Sequence, residues 1–529
     1  MSLRHLSLDH LIERNARQHG QRTAIVFEDQ RVTHAQYRAR TARLAAGLSA
    51  AGIRRSDRIA ILAQNRLEYL DLYGAAARLG AVVVPVNWRL TADEILHCIT
   101  DTSPVMVLAD AQYQQALAAS RDRCASVRHW IAFDGGGDGF DAYAELLLAE
   151  APAAAAPAGA AAAAGSGIDD KTGAMGAFGD AGPDDGFVIM HTAAVGGLPR
   201  GAELTHQGLL LAGTQLNLYW RLGPDDVNLG MLPLFHVTGL GLFLAVLQAG
   251  GSTVLSVRFD AEAAARQIAE HRVTVLASFA PMLAAILDAA QAGGNDLSSL
   301  RAVTGLEAGP TIERLESTCP DARFWSGFGQ SELSGMATLS PFREKPGAAG
   351  RPTMFVDVAV VDELDRPVGP GVVGEIVARG PLVFKGYWQR DDDNAQTFRN
   401  GWHHTGDLGR WDDAGYLWYA GRSPAKELIK PGGENVYPAE VERAILQHPA
   451  IAGVVVIGVP DPQWGEAVKA VCLCHPDVAV PTAEEIIDFV GERIARFKRP
   501  RHVVFVASLP RTAAGAIDRA QIKHDHGQS

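Results

Sequence analysis

The first hundred residues alternate between short apolar runs and stretches of helical periodicity, and this alternation constrains the fold most. Strands are predicted at Arg58–Leu62, Ala81–Val86 and Val105–Ala109, with helices at Glu68–Leu79 and Asp93–Thr100 between them. Strands that alternate with helices form βαβ units and a parallel sheet. The length of 529 residues and the 47% hydrophobic content allow several domains with large cores. We therefore expect an α/β protein.

Charge and cysteine usage argue against two classes of function. The formal net charge is −12 and no basic block compensates it, which argues against a nucleic-acid partner. The five cysteines are scattered, as in proteins of a reducing cytosol, so we expect a cytoplasmic protein. Cys472 and Cys474 alternate along a predicted strand and are interpreted as packing residues. The uncharged run 230–257 is broken by Pro233 and several glycines, so no transmembrane segment is expected.

A tract of Ala, Gly and Pro from 151 to 182 interrupts the chain. Such a composition carries too little large apolar surface to become ordered by itself. We predict that this tract is a flexible linker without a catalytic role.

A predicted strand at Phe187–Met190 leads into a glycine-rich loop. A loop of this kind can wrap phosphate groups with its backbone N–H groups, although a simple turn is the alternative. The candidate phosphate contacts are Thr192, Gly196, Gly197 and the cation Arg200.

The segment Phe324–Glu332 combines an aromatic ring, a tight turn, a hydroxyl group and a carboxylate. Phe328 offers a stacking face, Gly329 a turn, Ser331 a hydroxyl donor and Glu332 a ligand for a metal ion. Magnesium prefers hard oxygen ligands and is commonly held by one carboxylate together with nucleotide phosphates. This pattern therefore offers a stacking face, a donor to phosphate and a carboxylate that can bind a metal ion.

A third segment, 401–441, carries an acid, an arginine and a glycine pair around a predicted hairpin. Asp407 and Arg422 flank the hairpin, an arrangement that could clamp a sugar diol. Gly432 and Gly433 would let a narrow ligand pass close to the backbone. An ordinary hairpin with a surface loop is the alternative.

Together and in this order, the motifs resemble the adenylate-forming acyl-CoA synthetase (AMP-binding) family over nearly the whole chain, including its long-chain fatty acid–CoA ligase-like members. The resemblance implies an α/β fold. A large N-terminal domain, residues 1–424, would contain helix-flanked sheets and a distorted β-barrel subdomain. A small, mobile α+β C-terminal domain would cover residues 425–529, with the hinge near Lys426.

The resemblance also implies roles for individual residues. Glu332 would bind Mg²⁺, Asp407 would hold the ribose of ATP, and Arg422 would face the ribose and the α-phosphate. His236 would lie beside the carboxylate substrate, with a core histidine as the alternative. The catalytic candidates are therefore Glu332, His236 and Arg422. The ATP-binding candidates are Thr192, Gly196, Gly197, Arg200, Gly305, Phe328, Gly329, Ser331, Asp407 and Arg422, and the CoA channel would be lined by Gly432 and Gly433.

The activity implied by the resemblance is that of an ATP-dependent carboxylate–CoA ligase. The carboxylate would attack the α-phosphate to give acyl-AMP, and the CoA thiol would then displace AMP. The expected substrate is a fatty or aryl acid, with ATP and CoA as co-substrates and Mg²⁺ as cofactor. The resemblance leaves a homodimer open.

Two motifs depart from the family pattern. In the glycine-rich loop, Ala193, Ala194 and Val195 stand where small, flexible or hydroxylic residues are expected, and Arg200 replaces the lysine of that loop.

The second departure is in the C-terminal domain. The C-terminal loop Pro510–Ile517 has Ala516 where the family has a lysine that reaches the carboxylate and α-phosphate. Loss of one preorganised charge costs about 3–4 kcal/mol, or on the order of 10²–10³ in rate. A non-adenylating relative that binds acyl-CoA or nucleotide is therefore the alternative, and acyl-AMP transfer to a carrier protein ranks last. The cations that might replace the lysine are Arg511, Arg519, Lys498 and Lys523.

Overall fold

The structure is a computed structural model that describes most of the chain. The described residues are 6–137, 139–148, 181–192, 199–422, 428–434, 436–476, 478–511 and 517–528. The predicted linker at 151–182 lies outside the described residues, apart from its last two positions.

The described elements alternate between strands and helices over most of the large domain. In chain order the strands are β1 (Thr23–Phe27), β2 (Gln30–Thr33), β3 (Arg58–Leu62), β4 (Val82–Pro85), β5 (Met106–Ala109), β6 (His129–Ala132), β7 (Asp141–Ala142), β8 (Gly186–Thr192), β9 (Arg200–Thr205), β10 (Val227–Gly230), β11 (Ser252–Leu255), β12 (Val275–Phe279), β13 (Ala302–Leu306), β14 (Arg323–Ser326), β15 (Gly329–Gln330), β16 (Gly335–Met336), β17 (Thr338–Pro341), β18 (Arg351–Pro352), β19 (Asp357–Val361), β20 (Gly374–Arg379), β21 (Gly386–Tyr387), β22 (Phe398–Arg399), β23 (Trp402–Trp411), β24 (Leu417–Arg422), β25 (Ile451–Asp461), β26 (Gly465–Cys474) and β27 (His502–Phe505). The helices are α1 (Leu8–Gln18), α2 (His34–Ala50), α3 (Leu67–Leu79), α4 (Ala92–Thr102), α5 (Ala111–Ala118), α6 (Tyr143–Leu148), α7 (His206–Trp220), α8 (Val237–Gln248), α9 (Ala261–His271), α10 (Met282–Gly293), α11 (Gly309–Thr318), α12 (Asp391–Thr397), α13 (Pro438–Ile445), α14 (Ala483–Gly491) and α15 (Arg519–His526).

The first large sheet has the described strand order β21-β9-β8-β4-β3-β5-β6-β7. The run from β8 to β7 is parallel, whereas β9 and β21 close one side as antiparallel strands. Strand β4 is fully buried, as expected for a parallel strand with both faces covered. The predicted parallel sheet is therefore confirmed.

The second large sheet has the described order β18-β17-β14-β13-β12-β10-β11-β1-β2. The strands from β14 to β1 are parallel, and antiparallel strands flank them on both sides. The uncharged run 230–257 forms the buried helix α8 and strand β11 against this sheet. No helix within the described ranges has the length and apolarity needed to span a membrane.

The region expected to form a distorted barrel is an antiparallel sheet of β19, β20, β23, β22 and β24 among the described strands. Its longest strand, β23, pairs with β20 on one side and with β24 on the other. The register of β23 and β24 places Asp407 directly opposite Arg422. This pairing brings two predicted site residues together.

The small C-terminal domain is built on β25, β26 and β27, with α13, α14 and α15 packed around them. Cys472 is buried and Cys474 is half-buried in β26, where both pack against the apolar core of this domain. Their predicted packing role is confirmed, and all five cysteines of the chain are free thiols.

The ends of predicted helices differ from the structure by a few residues where a capping residue was missed. The sequence predicts a helix over Tyr37–Ala51, whereas α2 begins at His34 and ends at Ala50. Thr33 caps this helix, because its hydroxyl accepts from the backbone N–H of Gln36 while the Gln36 side chain returns to Thr33. Such a capping box satisfies N–H groups that the first helical turn leaves free.

Candidate active site

The candidate site lies where the two large sheets meet the antiparallel sheet formed by β19, β20, β22, β23 and β24. Thr192 is the last residue of β8, Gly305 lies near the end of β13, and Phe328 lies in the turn after β14. Carboxyl ends of parallel strands are the common position for ligand sites in α/β folds. The topology therefore places these predicted site residues at the carboxyl ends of strands, where such sites lie.

The Glu332 carboxylate is held by hydroxyl groups from two different segments. Its Oε1 accepts from Thr192 Oγ1 at 2.8 Å and from Tyr387 OH at 2.9 Å. Burial, together with the nearby Glu332 carboxylate, raises the pKa of Tyr387, which keeps the phenol protonated as a donor. The Glu332 carboxylate is thus fixed beside the start of the glycine-rich loop.

Arg200, the cation predicted to contact phosphate, follows that loop and is engaged by two side chains. Its guanidinium lies 3.9 Å from the centre of the Tyr387 ring and 3.2 Å from Asp393 Oδ1. Arg200 therefore contacts the same tyrosine that donates to Glu332. Its positive charge is partly balanced by Asp393 in this structure.

Asp407 is the centre of a second hydrogen-bonded group. The side chain is only 2% exposed, and its Oδ1 is 2.9 Å from Arg422 Nε and accepts from Tyr419 OH at 3.0 Å. The amide of Gln330 donates to Asp407 Oδ2. Burial opposes the charge on Arg422, but Asp407, Tyr437 and Tyr419 together outweigh it and raise the pKa of Arg422.

Phe328 lies beside this group and forms an aromatic surface with Tyr419. Their ring centroids are 6.4 Å apart with an interplanar angle of 26°. Gly305, at the end of β13, has a φ of 122°, and a Cβ there would lie 1.8 Å from the Ser278 carbonyl oxygen. Only glycine fits such an approach. Gly329 begins the β15–β16 hairpin and Ser331 begins the following 3₁₀ turn.

His236 precedes helix α8 and faces an acid from the small-domain side of the chain. Its Nε2 is 3.8 Å from Glu434 Oε1. Arg89 also forms an ion pair with Glu434, and Asn87 donates to it at 3.4 Å. Burial raises the pKa of Glu434, but His236 and Arg89 outweigh it and hold that pKa at about 2.

The loop that carries the glycine pair lies against the Asp407 group. Tyr437 is buried, and its pKa responds to the charges of Arg422, Glu332 and Asp407. Burial raises the pKa of Tyr437 to about 12. The Lys430 side chain, which precedes the glycine pair, is exposed.

Gly432 has a φ of 58°, and a Cβ there would lie 2.8 Å from the Trp464 ring. A side chain at this position would therefore be strained and would displace the indole. The neighbouring Gly433 ends the same 3₁₀ turn, Pro431–Gly433.

The structure thus brings together most of the residues predicted from sequence. Gly196, Gly197, the predicted hinge residue Lys426 and Ala516 lie outside the described residues. The sequence analysis missed the residues that support the predicted ones: Gln330, Tyr387, Tyr419, Lys430, Glu434 and Tyr437. The sequence did offer one signal for Glu434, because it is a charged residue directly after Gly432 and Gly433.

Cations suggested as replacements for the missing lysine are partly engaged elsewhere. Lys498 forms ion pairs with Glu94 and Glu440. Arg519 is 2.7 Å from Glu442 Oε1 and donates to the Val456 carbonyl at 2.7 Å. In this arrangement neither of these two is available to a substrate.

Comparison with protein families identifies the chain. Residues 12–388 match the model for the AMP-binding enzyme, and residues 440–516 match the model for the AMP-binding enzyme C-terminal domain. The chain belongs to the AMP-binding enzyme family. It is an AMP-forming acyl-CoA synthetase, that is, a carboxylate–CoA ligase with ATP and CoA as substrates.

Relatives of this synthetase include ligases for different acids. It is 34% identical over 520 residues to a feruloyl-CoA synthase of an Amycolatopsis species, covering 97% of this chain and 98% of that protein. It is 32% identical over 508 residues to the long-chain-fatty-acid–CoA ligase FadD13 of Mycobacterium tuberculosis, covering 94% of each. The relatives thus support a ligase and give no support to the alternative of a non-adenylating binding protein.

Two solved structures of one relative, the o-succinylbenzoate CoA synthetase MenE of Bacillus subtilis, superpose differently on this synthetase. A double mutant bound to its product analogue OSB-NCoA gives a TM-score of 0.81, with 28% identity over 97% of this chain and 98% of that one. The complex with the acyl-adenylate intermediate OSB-AMP gives a TM-score of 0.66, with 28% identity over 97% of each chain.

Proposed function

We propose that this synthetase activates a fatty or aryl carboxylic acid as acyl-AMP and transfers the acyl group to CoA. One observation carries the proposal. Gln330 donates to Asp407, which forms an ion pair with Arg422. Two positions further on, Glu332 accepts from Thr192 at the start of the glycine-rich loop. Because one short segment joins these two groups, the site suits a nucleotide whose phosphate and ribose ends need different partners.

The Asp407 group is proposed to hold the nucleoside. Asp407 would accept from the ribose hydroxyls, and Arg422 would extend from the ribose towards the α-phosphate. The Phe328–Tyr419 surface would stack on adenine, with the backbone around Gly305 at its edge. The partners Tyr419 and Gln330 orient the Asp407 carboxylate before a ligand arrives, and such preorganisation reduces the cost of binding.

Glu332 is proposed to hold Mg²⁺ together with the nucleotide phosphates. The donor set fits this ion, because a carboxylate with a hydroxyl beside it, Thr192 Oγ1, supplies hard oxygen atoms. Among the described residues no group of three or more His, Cys, Asp or Glu could form an all-protein metal site. A bound ion would neutralise phosphate charge, while Glu332 itself would fix its position.

The acid is proposed to lie beside His236, between α7, α8 and the strand ends of the second large sheet. Apolar side chains in this region are only partly buried, including Phe279, Trp325 and Met336. Tyr219 and Trp325 contact edge to face, with their ring centroids 6.1 Å apart. An apolar wall of this kind favours an acid with an aryl or fatty body, as in the ligases named for ferulate and for long-chain fatty acids.

The arrangement of the small domain supports thioester formation. The better superposition on the MenE product-analogue complex than on its acyl-adenylate complex favours an orientation suited to the second half-reaction. Gly432 and Gly433 would line the pantetheine channel. The proposed hinge near Lys426 divides residues 1–424 from 425–529, and the two matched family models lie on either side of it. Rotation about this hinge would let one cleft serve both half-reactions.

Ala516 makes the first half-reaction the critical test. We would measure pyrophosphate release without CoA for short, long and aryl acids, with wild type and Ala516→Lys side by side. Thioester formation would be followed separately. We expect wild-type turnover with an aryl or long-chain acid and faster acyl-AMP formation in the variant. Absence of both acyl-AMP and thioester across the panel, in both proteins, would contradict the proposal.

A further inference from the structure

Lys498 is a buried cation shared between the large and small domains. It closes the 3₁₀ turn Arg496–Lys498, is 3% exposed, and places Nζ 2.7 Å from Glu440 Oε1. The same Nζ forms an ion pair with Glu94 Oε1, 404 positions away in the sequence. Glu440 belongs to α13 of the small domain, whereas Glu94 belongs to α4 of the large domain. One ion pair is therefore internal to a domain and the other crosses between domains.

The two carboxylate oxygens of Glu94 have different partners. Oε2 accepts from the backbone N–H of Thr91 at 2.8 Å and from the Thr91 hydroxyl at 2.9 Å, completing a capping box at the start of α4. Oε1 faces Lys498. The cap depends only on the large domain, so Glu94 keeps its orientation whatever the small domain does. The ion pair with Lys498 depends on how the domains are arranged.

Lys498 can keep one carboxylate partner when the small domain turns away from the large domain. Because Lys498 and Glu440 lie in the same domain, their pair can persist when that domain turns. Burial, opposed by Lys498, raises the pKa of Glu440 to about 7, and the adjacent Glu94 carboxylate adds to the rise. When Glu94 is separated from Lys498, Glu440 would be the one carboxylate still paired with Lys498 among the partners described here. An unpaired buried charge would be strongly unfavourable, and this arrangement avoids it.

A second contact between the domains starts from the same segment of the large domain. Arg89 and Asn87 lie just before α4 and bind Glu434 of the glycine-pair loop. Residues 87–94 therefore contact the small domain at two separate points. Both contacts belong to the arrangement that superposes better on the product-analogue complex of MenE than on its acyl-adenylate complex.

We propose that Glu94 is a positioning residue for the thioester-forming half-reaction, acting through its ion pair with Lys498 to hold the small domain in the arrangement seen here. The inference rests on the proposed function, in which one cleft serves two half-reactions. The ion pair breaks when the domain turns towards the adenylation arrangement. Its loss therefore disfavours the thioester arrangement and leaves the chemistry of acyl-AMP formation intact.

The decisive variant is Glu94→Gln. Glutamine also completes a capping box, so α4 keeps its cap while the charge that attracts Lys498 is lost. The matched control is Asp93→Asn, which removes a carboxylate from the same helical turn, where the Asp93 side chain is 92% exposed. Acyl-AMP formation would be measured without CoA, and thioester formation from preformed acyl-AMP in a single turnover.

We expect Glu94→Gln to slow thioester formation about tenfold, within the range of about 5- to 150-fold that typical coupling free energies produce. Acyl-AMP formation should be unchanged or faster, and Asp93→Asn should change neither rate. Equal losses in both half-reactions, or no change in an active enzyme, would overturn the inference.

A measurement without turnover separates this inference from the proposed function. Energy transfer between fluorophores on the two domains reports the domain arrangement of the ligand-free protein. Glu94→Gln should shift that distribution away from the arrangement described here, and Asp93→Asn should not. If the wild type forms neither acyl-AMP nor thioester, the proposed function fails, while the energy-transfer result still decides the role of Glu94. An unchanged distribution in Glu94→Gln would overturn that role.

Discussion

Asp407 and Arg422 lie directly opposite each other on β23 and β24, with Arg422 Nε 2.9 Å from Asp407 Oδ1. Cross-strand partners are the closest side-chain neighbours in an antiparallel sheet. Their spacing is therefore fixed by backbone hydrogen bonds before any ligand binds. A one-residue slip would turn the two side chains to opposite faces, so the hairpin register is itself a requirement for nucleotide binding.

Replacing Asp407 by alanine should weaken ATP binding and ligation. A hydrogen bond to a charged group contributes roughly 1.5–3 kcal/mol, so we expect the KM for ATP to rise by about 10- to 100-fold. Steady-state kinetics with varied ATP would measure this, beside Asp413→Ala, which removes an exposed carboxylate from the turn of the same hairpin. Wild-type ATP kinetics in Asp407→Ala would rule out the ribose assignment.

Replacing Glu332 by glutamine should impair acyl-AMP formation and raise the Mg²⁺ concentration needed for it. Loss of one preorganised charge lowers the rate by about 10²–10³. The chain supplies a matched control, because Tyr416 donates to Glu344 at 3.0 Å much as Tyr387 donates to Glu332. Glu344→Gln should leave pyrophosphate release and its Mg²⁺ dependence unchanged. A similar loss in both variants would point to a structural effect.

Replacing Gly433 by leucine should slow thioester formation more than acyl-AMP formation. A side chain in the proposed channel would misplace the thiol, and a misplacement of about 1 Å can reduce rates on the order of 10²-fold. Single-turnover assays of each half-reaction would measure the two losses. Gly369→Leu is the control, since a Cβ there meets nothing within 4 Å. Equal losses in the two half-reactions would argue against a channel at Gly433.

Conformational stability should fall as the pH drops from about 6.5 to 4, in part because of His206. This side chain is 1% exposed, its ring centroid is 4.4 Å from that of Phe187, and burial lowers its pKa from 6.5 to about 4. A group with a lowered pKa in the folded state takes up its proton more readily on unfolding. Its stabilising effect is therefore complete above pH 6.5 and is lost as the pH falls towards 4.

The matched variant for this effect is His206→Gln. Glutamine keeps an acceptor for the Leu8 N–H, which is 3.5 Å from His206 Nδ1, but does not titrate. Urea unfolding between pH 7.5 and 5 should show a shallower loss of stability in the variant. The full effect of one such histidine corresponds to roughly 3 kcal/mol. An identical pH dependence in both proteins would contradict the assignment.

Local sequence patterns predicted the elements of the fold where burial and periodicity agree. The strand Arg58–Leu62 was predicted with its observed bounds, because a short apolar run between turns leaves little choice. Helix ends were less accurate, as at His34, since a cap depends on individual side-chain hydrogen bonds. The order of strands within the sheets could not be read from local patterns, because pairing joins segments far apart in sequence.

For the site, the motifs predicted which residues matter but not what orients them. Asp407 and Arg422 were paired correctly because a hairpin joins them. Tyr387 was missed as the partner of Glu332, because the two are 55 positions apart and meet only through packing. The same reason applies to Glu94 and Lys498. Partners of this kind require the three-dimensional structure.

The burial of the cysteines has a consequence for an enzyme whose second substrate is a thiol. Cys98, Cys124, Cys319 and Cys472 are buried, Cys474 is half-buried, and burial raises the pKa of each thiol. Only thiolates attack disulfides. We therefore expect the protein to form mixed disulfides with oxidised CoA only slowly, with Cys474 as the most accessible sulfur.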